Sequence, residues 1–169
     1  YIDASFTVDD VNLGENLFFV LEVINRGTQG INQMSAIINI LDIVNTKLHT
    51  LQTEKIALAK EQRHKSELVF NSSRLEGQGP YKAEVSIFFD GEAKVIEKQF
   101  KVGRLDVNIL NHTETFEKDK INPFDIVIES IWNSKIDNIF AKVKISDSEF
   151  QTPSTSLDKW ERKNLRGFW

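Results

Sequence analysis

Residues 79 to 103, GPYKAEVSIFFDGEAKVIEKQFKVG, constrain this chain more than any other stretch. Tyr81, Ala83, Val85, Ile87 and Phe89 alternate with Lys82, Glu84, Ser86 and Phe88, and a period of two marks a strand with one buried face. Asp90-Gly91 follows. Both residue types accept the positive φ that a tight type I′ hairpin turn needs. The return strand sets Ile96, Phe100 and Val102 on one face, with Lys98 interrupting the stripe. A long hairpin with one apolar face must be covered by another layer. The expected fold is therefore all-β, with this hairpin closing a sandwich built by the residues before it.

Those residues supply the strands. Ala4 to Val8 reads as a short first strand. Asp9 to Glu15 is read as a turn, because its acids miss the D-x-[DN]-x-[DN]-G order of a calcium loop in every register. Asn16 to Ile24 is almost continuously apolar, as a central strand should be. Leu17, Phe19, Leu21 and Val23 form the face without Glu22 and are pointed inward. Asn25 to Gly30 turns the chain, and Met34 to Asp42 follows with Ala36, Ile38 and Ile40 on one face. Residues 45 to 70 read two ways. Glu54 to Glu61 contains good helix formers; the preferred reading is two strands, Leu51 to Leu58 and Ser66 to Phe70, around a charged turn from Lys60 to Lys65.

The second half of the chain favours the strands. Leu58 to Phe70 aligns with Leu157 to Trp169 without a gap, and the later version opens with the helix-averse run TPSTS. SAIINILD at 35–42 resembles FAKVKISD at 140–147, and VINRG at 23–27 resembles SIWNSK at 130–135. Two tandem domains result, 1–103 and 104–169. Matching Asn25 to Asn133 sets Glu129 opposite the inward Leu21, a conflict that a one-residue shift or bulge would resolve. The second copy holds no counterpart of residues 71 to 103, so it is expected to be an incomplete sandwich with an open inner edge. Continuation of the chain past Trp169 is the favoured remedy. The rivals are a strand from another molecule, as in a strand-exchanged oligomer, or a tail in which Trp160, Phe168 and Trp169 fold over the gap.

Composition excludes more than it assigns. A net charge of −4 lacks the basic excess of a nucleic-acid binder, and no apolar run is long enough to cross a membrane as a helix. With no cysteine and three scattered histidines, His49, His64 and His112, neither metal nor cofactor is expected. No G-x-S-x-G elbow, phosphate-binding loop or dinucleotide fingerprint is present, so no catalytic residue is assigned. His49 and His64 are read as solvated. Lys60, Arg63, His64 and Lys65 are read as a solvated turn. Lys159, Arg162, Lys163 and Arg166 surround Trp160, which with Phe168 and Trp169 forms the candidate ligand or interface patch, a glycan being one conceivable partner. Asn71-Ser72-Ser73 and Asn111-His112-Thr113 are candidate N-glycosylation sites.

One family shares the order of these features. Gly14-Glu15, Val23-Ile24-Asn25-Arg26-Gly27, Gly79-Pro80-Tyr81-Lys82-Ala83, Asp90-Gly91 and Val102-Gly103 together resemble the immunoglobulin-like, CARDB-type repeats of archaeal and bacterial secreted surface proteins. In the second copy Asn133-Ser134-Lys135 lacks the glycine. The resemblance implies a non-catalytic, extracellular tandem module, working as a spacer or adhesion element beside other domains of a longer chain or a surface protein partner. It carries no catalytic residues over, and fold-level analogy supplies no ligand.

Overall fold

The computed structural model describes residues 1–118 and 120–168. The chain divides into two compact units, Tyr1–Val102 and Gly103–Trp169. Every regular element longer than one turn of 3-10 helix is a strand among the described residues; Glu54 to Glu61 forms no helix.

The strands of the first unit are β1 (Ile2–Thr7), β2 (Val11–Asn12), β3 (Asn16–Asn25), β4 (Ile31–Leu41), β5 (Lys47–Gln52), β6 (Ile56–Leu58), β7 (Arg63–Asn71), β8 (Gly79–Phe89) and β9 (Glu92–Gly103). One antiparallel sheet runs β1-β3-β7, and the other runs β2-β9-β8-β4-β5, with β6 also pairing to β4. Alternation decides what each sheet buries: Leu17, Phe19, Leu21 and Val23 of β3 face Ala36, Ile38 and Ile40 of β4 and Ala83, Val85 and Ile87 of β8 across the core. Phe19 stacks on Phe6 with centroids 6.1 Å apart and meets Phe100 edge-on at 6.0 Å. The Tyr81 hydroxyl donates to the Gly77 carbonyl at 2.8 Å. A tyrosine at the start of such a strand, bonding back to the backbone a few residues upstream, is the tyrosine corner of immunoglobulin-like sandwiches.

Sequence boundaries shift for local reasons. The stretch expected as one strand from Leu51 to Leu58 is two, because β5 pairs with Ile37–Leu41 and β6 with Ile31 and Met34 of the same strand. Between them Thr53 turns its hydroxyl to the Ala36 amide at 2.8 Å. The following turn is shorter than expected, Ala59 to Gln62, and β7 already begins at Arg63. At Asp90 and Gly91 φ is 44° and 90°, as the hairpin turn requires. The Asp90 carboxylate accepts the amides of Asn32 and Gln33, each at 2.9 Å, tying the hairpin tip to the start of β4.

The second unit contains β10 (Val107–His112), β11 (Pro123–Ser130), β12 (Ile136–Ile139), β13 (Lys142–Ile145), β14 (Ser148–Gln151), β15 (Thr155–Leu157) and β16 (Arg162–Phe168). Its ladders reproduce those of the first. β10-β11-β16 matches β1-β3-β7, β12 with β15 matches the β4–β6 pairing, and β13 with β14 matches the β4–β5 pairing. Individual bonds repeat as well. Ala36 and Thr53 exchange backbone and hydroxyl bonds, and Ala141 and Thr152 do the same at 2.9 Å each. The turn Ala59–Gln62 recurs as Asp158–Glu161: the fourth residue's side chain accepts the first residue's amide, and Glu61 and Trp160 occupy the same left-handed position, φ 60° and 57°.

This register removes the conflict at Glu129. Asn25 donates its backbone amide to Gln62, and Ser130 donates its own to Glu161. The equivalent of Asn25 is thus Ser130, not Asn133, and Leu21 corresponds to the buried Ile126. Asn25 Oδ1 takes the amide two residues on, at Gly27; Ser130 Oγ takes the amide of Trp132. A Cβ at Gly27 would stand 3.0 Å from Asn25 Oδ1. With the shorter serine in the second unit, a tryptophan occupies the glycine's place. The units differ in length between β4 and β5: residues 41 to 48 separate the paired Ile40 and His49, whereas only Ser146-Asp147 separates Ile145 from Ser148.

Candidate functional site: an open edge in the second unit

In the first unit β8 pairs with Met34 to Leu41 along the edge of β4 away from β5. The corresponding edge of β12 and β13 is paired with no strand among the described residues. Beside it lies a groove between β10 and β13. One end has a volume of about 620 Å³ and is lined by Ile109, Ile126, Ile128, Ile139, Ala141 and Leu165 among others. The other end, about 470 Å³, shares Ile109, Ile126 and Lys142 and continues past Phe116, Phe124 and Val143.

In the first unit the corresponding volume is filled. There Ala83, Val85 and Ile87 of β8, with Phe100 and Val102 of β9, occupy the space between β1 and β4, and Ala36, Ile38 and Ile40 are fully buried. Their counterparts Ala141, Val143 and Ile145 are only half-buried. Ile109 stands where Ala4 packs on the first core, yet it is 65% exposed. Burying one such side chain is worth about 1.5–3 kcal/mol, so the groove is a surface with a strong tendency to be covered. The smaller core that remains is Phe124, Ile126, Ile128, Leu157 and Leu165.

The outer face is polar. Lys142 and Lys144 point away from the core on β13. On the other sheet Arg166 lies across from Asp125, with Nε 2.7 Å from Oδ1 and a second nitrogen 2.9 Å from Oδ2, while Asn164 donates to the same carboxylate. The Arg166 hydrogen bonds, aided by Asn164, hold the Asp125 carboxyl below its ordinary range. Arg162 pairs with Glu129 and Lys163 with Glu161. Of the four cations that flank Trp160 in the sequence, Arg162, Lys163 and Arg166 are therefore engaged with acids.

The residues singled out in the sequence are not gathered into one patch. Trp160 is half-buried in the left-handed turn before β16, and Phe168 ends β16, exposed and paired with Pro123. Six strand steps of ~3.3 Å separate the ends of β16, roughly 20 Å. Phe168 faces outward and does not fold over the groove; Trp169 lies outside the described residues. Asn111 is exposed on β10 beside a bulge. Asn71 is committed to structure: Nδ2 donates to Gly14 O and Asn16 Oδ1, each at 3.0 Å, and Oδ1 caps the Ser73 amide. Its neighbour Ser72, fully buried, accepts the Gly14 amide and donates to Asn12 O. His49 is half-buried rather than fully solvated. Its ring packs on Phe70 at 4.9 Å, with Nε2 3.0 Å from the Arg74 carbonyl. His64 is half-buried beside Ser66. The groove residues Ile109, Ile126, Ala141 and Val143 were not marked as a site by any motif. Their signal was the absent counterpart of residues 71 to 103.

No protein-family model matches the chain, and no curated protein sequence does. Solved structures do. A family 123 glycoside hydrolase from Clostridium perfringens matches with a TM-score of 0.51 at 8% identity, over 64% of this chain and 28% of that one. Red sea bream transglutaminase matches with a TM-score of 0.51 at 6% identity, over 98% of this chain and 26% of the enzyme. A CARDB domain from Pyrococcus furiosus, solved in complex with di-metal ions, gives 0.44 at 11% identity over 60% of this chain and 87% of that domain. The chain thus spans little more than a quarter of the two enzymes, and the likeness is one of β-sandwich fold.

Proposed function

We propose that this chain is a non-catalytic structural module, a spacer built of tandem immunoglobulin-like units in an extracellular microbial surface protein. The observation that carries the reading is the bond-by-bond repetition of one sandwich plan in both units. Repeating a scaffold extends a chain without requiring a reaction centre. The polar network on the outer face of β11 and β16 is itself structural: the Asp125 carboxylate is engaged by Arg166 and Asn164 across the strand pair. The surface location is supported by the ordered motifs at Gly14-Glu15, Val23–Gly27, Gly79–Ala83 and Asp90-Gly91. Brief protease treatment of intact source cells, followed by mass spectrometry of the released peptides, tests it. Peptides from both units are expected in the released fraction. Recovery only after lysis, in the soluble interior fraction, would overturn the surface assignment.

A further inference from the structure

We infer that the open edge of β12–β13 and its groove bind a partner strand from outside residues 1–169, laid antiparallel to Ile139–Ile145, with alternate apolar side chains inward and acidic side chains facing Lys142 and Lys144. The inference rests on reading the second unit as a copy of the first.

The register comes from the first unit. Ala36 directs its backbone groups toward Thr53, and Ala141 directs its own toward Thr152. Backbone bonding alternates along an antiparallel strand, so the amides of Lys142 and Lys144 point to the open edge. In the first unit Ile87 stands opposite Ala36, Val85 opposite Ile38 and Ala83 opposite Ile40. The added strand therefore carries a large residue opposite Ala141, a β-branched one opposite Val143 and a small one opposite Ile145. On the outer face Ile37 meets Ser86 and Asn39 meets Glu84. Their counterparts are Lys142 and Lys144, and direct cross-strand neighbours of opposite charge stabilise a pair. Glu149 of β14, 3.9 Å from Lys142 and opposite Lys144, supplies one negative charge for the two lysines, so the open side selects acids at both positions. Charge also argues against a second copy as occupant. Antiparallel self-pairing centred on Val143 would set Lys142 opposite Lys144, and it would leave the groove unfilled.

The probe is a synthetic hairpin of residues 79–103 carrying Ser86→Glu, which keeps Glu84 and adds a second acid. It is mixed with the intact 169-residue chain, and hydrogen exchange is read at the Lys142 and Lys144 amides. Protection of at least tenfold at saturating peptide is expected. A hairpin with Glu84→Lys and Ser86→Lys should bind at least tenfold more weakly, and Lys142→Glu/Lys144→Glu in the chain should reverse that preference. Lack of protection, equal binding of both hairpins, or concentration-dependent protection of the same amides without peptide would each overturn the inference. None of these outcomes depends on where the protein resides, so the surface assignment stands or falls separately.

Discussion

Asn25 offers the sharpest test of how the first unit is held together. It is 1% exposed and sits at the end of β3. Oδ1 accepts the Gly27 amide at 2.9 Å, and Nδ2 donates to the carbonyls of Gln29 at 2.8 Å and of Leu58 and Ala59 at 3.2 Å. The same residue's backbone bonds to Gln62 and Glu61. One side chain thus joins the β3–β4 loop to the β6–β7 turn. Asn25→Ala removes an acceptor and two N–H donors from buried partners. Each polar group left unsatisfied costs ~1–3 kcal/mol; with partial access of water at the loop side, the sum is about 3 kcal/mol. Asn25→Ser, which imitates Ser130, keeps the bond to the next-but-one amide and should cost about 2 kcal/mol. Asn25→Asp keeps the shape and the acceptor but directs a carboxylate at three carbonyls, so it should cost at least as much as alanine, about 3–4 kcal/mol. Hydrogen exchange of the Phe19, Leu21 and Val23 amides, read against urea unfolding, measures these losses. For alanine, the most protected amides should exchange about two orders of magnitude faster. If aspartate were as stable as asparagine, or alanine fell within ~0.5 kcal/mol of it, the side chain would be filling space and the network would not be holding the loops.

Three further outcomes follow from the same geometry. Asp90→Ala should lower the urea midpoint of the first unit by the equivalent of about 1–2 kcal/mol, because it loses the Asn32 and Gln33 bonds and a residue suited to φ 44°; Asp90→Asn should recover part of this. Burial, with the nearby Glu76, raises the Tyr81 phenol above 10.0. Its contribution is therefore present below the unfolded tyrosine pKa and lost as pH rises through the folded one, so ultraviolet titration should show one of the two tyrosines ionising late, and Tyr81→Phe should abolish that step at a cost of ~1 kcal/mol. Asp125 is the reverse case: its lowered pKa stabilises above the ordinary aspartate range and the effect is lost as pH falls through the folded value. Acid unfolding of the second unit, followed by tryptophan fluorescence, should therefore lose part of its pH dependence in Asp125→Asn.

Much of this was legible from residue order, for identifiable reasons. The alternation from Tyr81 to Phe89 admits one buried face, and Asp90-Gly91 admits one kind of turn, so β8 and β9 appear where the pattern places them. The gapless match of Leu58–Phe70 to Leu157–Trp169 also held at every described position, down to the side chain that closes the turn. The match through Asn25 and Asn133 failed because it followed residue identity. The backbone role had passed to Ser130, whose hydroxyl performs one part of the asparagine's task. The division of β5 from β6 was invisible because it depends on which end of β4 each segment reaches, a tertiary fact with no periodicity of its own. Likewise, residue order marks Trp160 as an aromatic among cations, while the structure makes it the left-handed corner of a turn and pairs Arg162, Lys163 and Arg166 of the following strand with acids.

The difference in length between the two copies has a practical use. Where the first unit spends residues 41 to 48, with Ile43 and Val44 among its exposed apolar side chains, the second makes do with Ser146-Asp147. The paired residues on either side keep their register in both. Nature has in effect already run the deletion experiment: this connection changes length by six residues while the strands it joins stay aligned. It is the natural place to graft an epitope, a fluorophore or a pulling handle, because the scaffold has been shown by its own sibling to tolerate edits there.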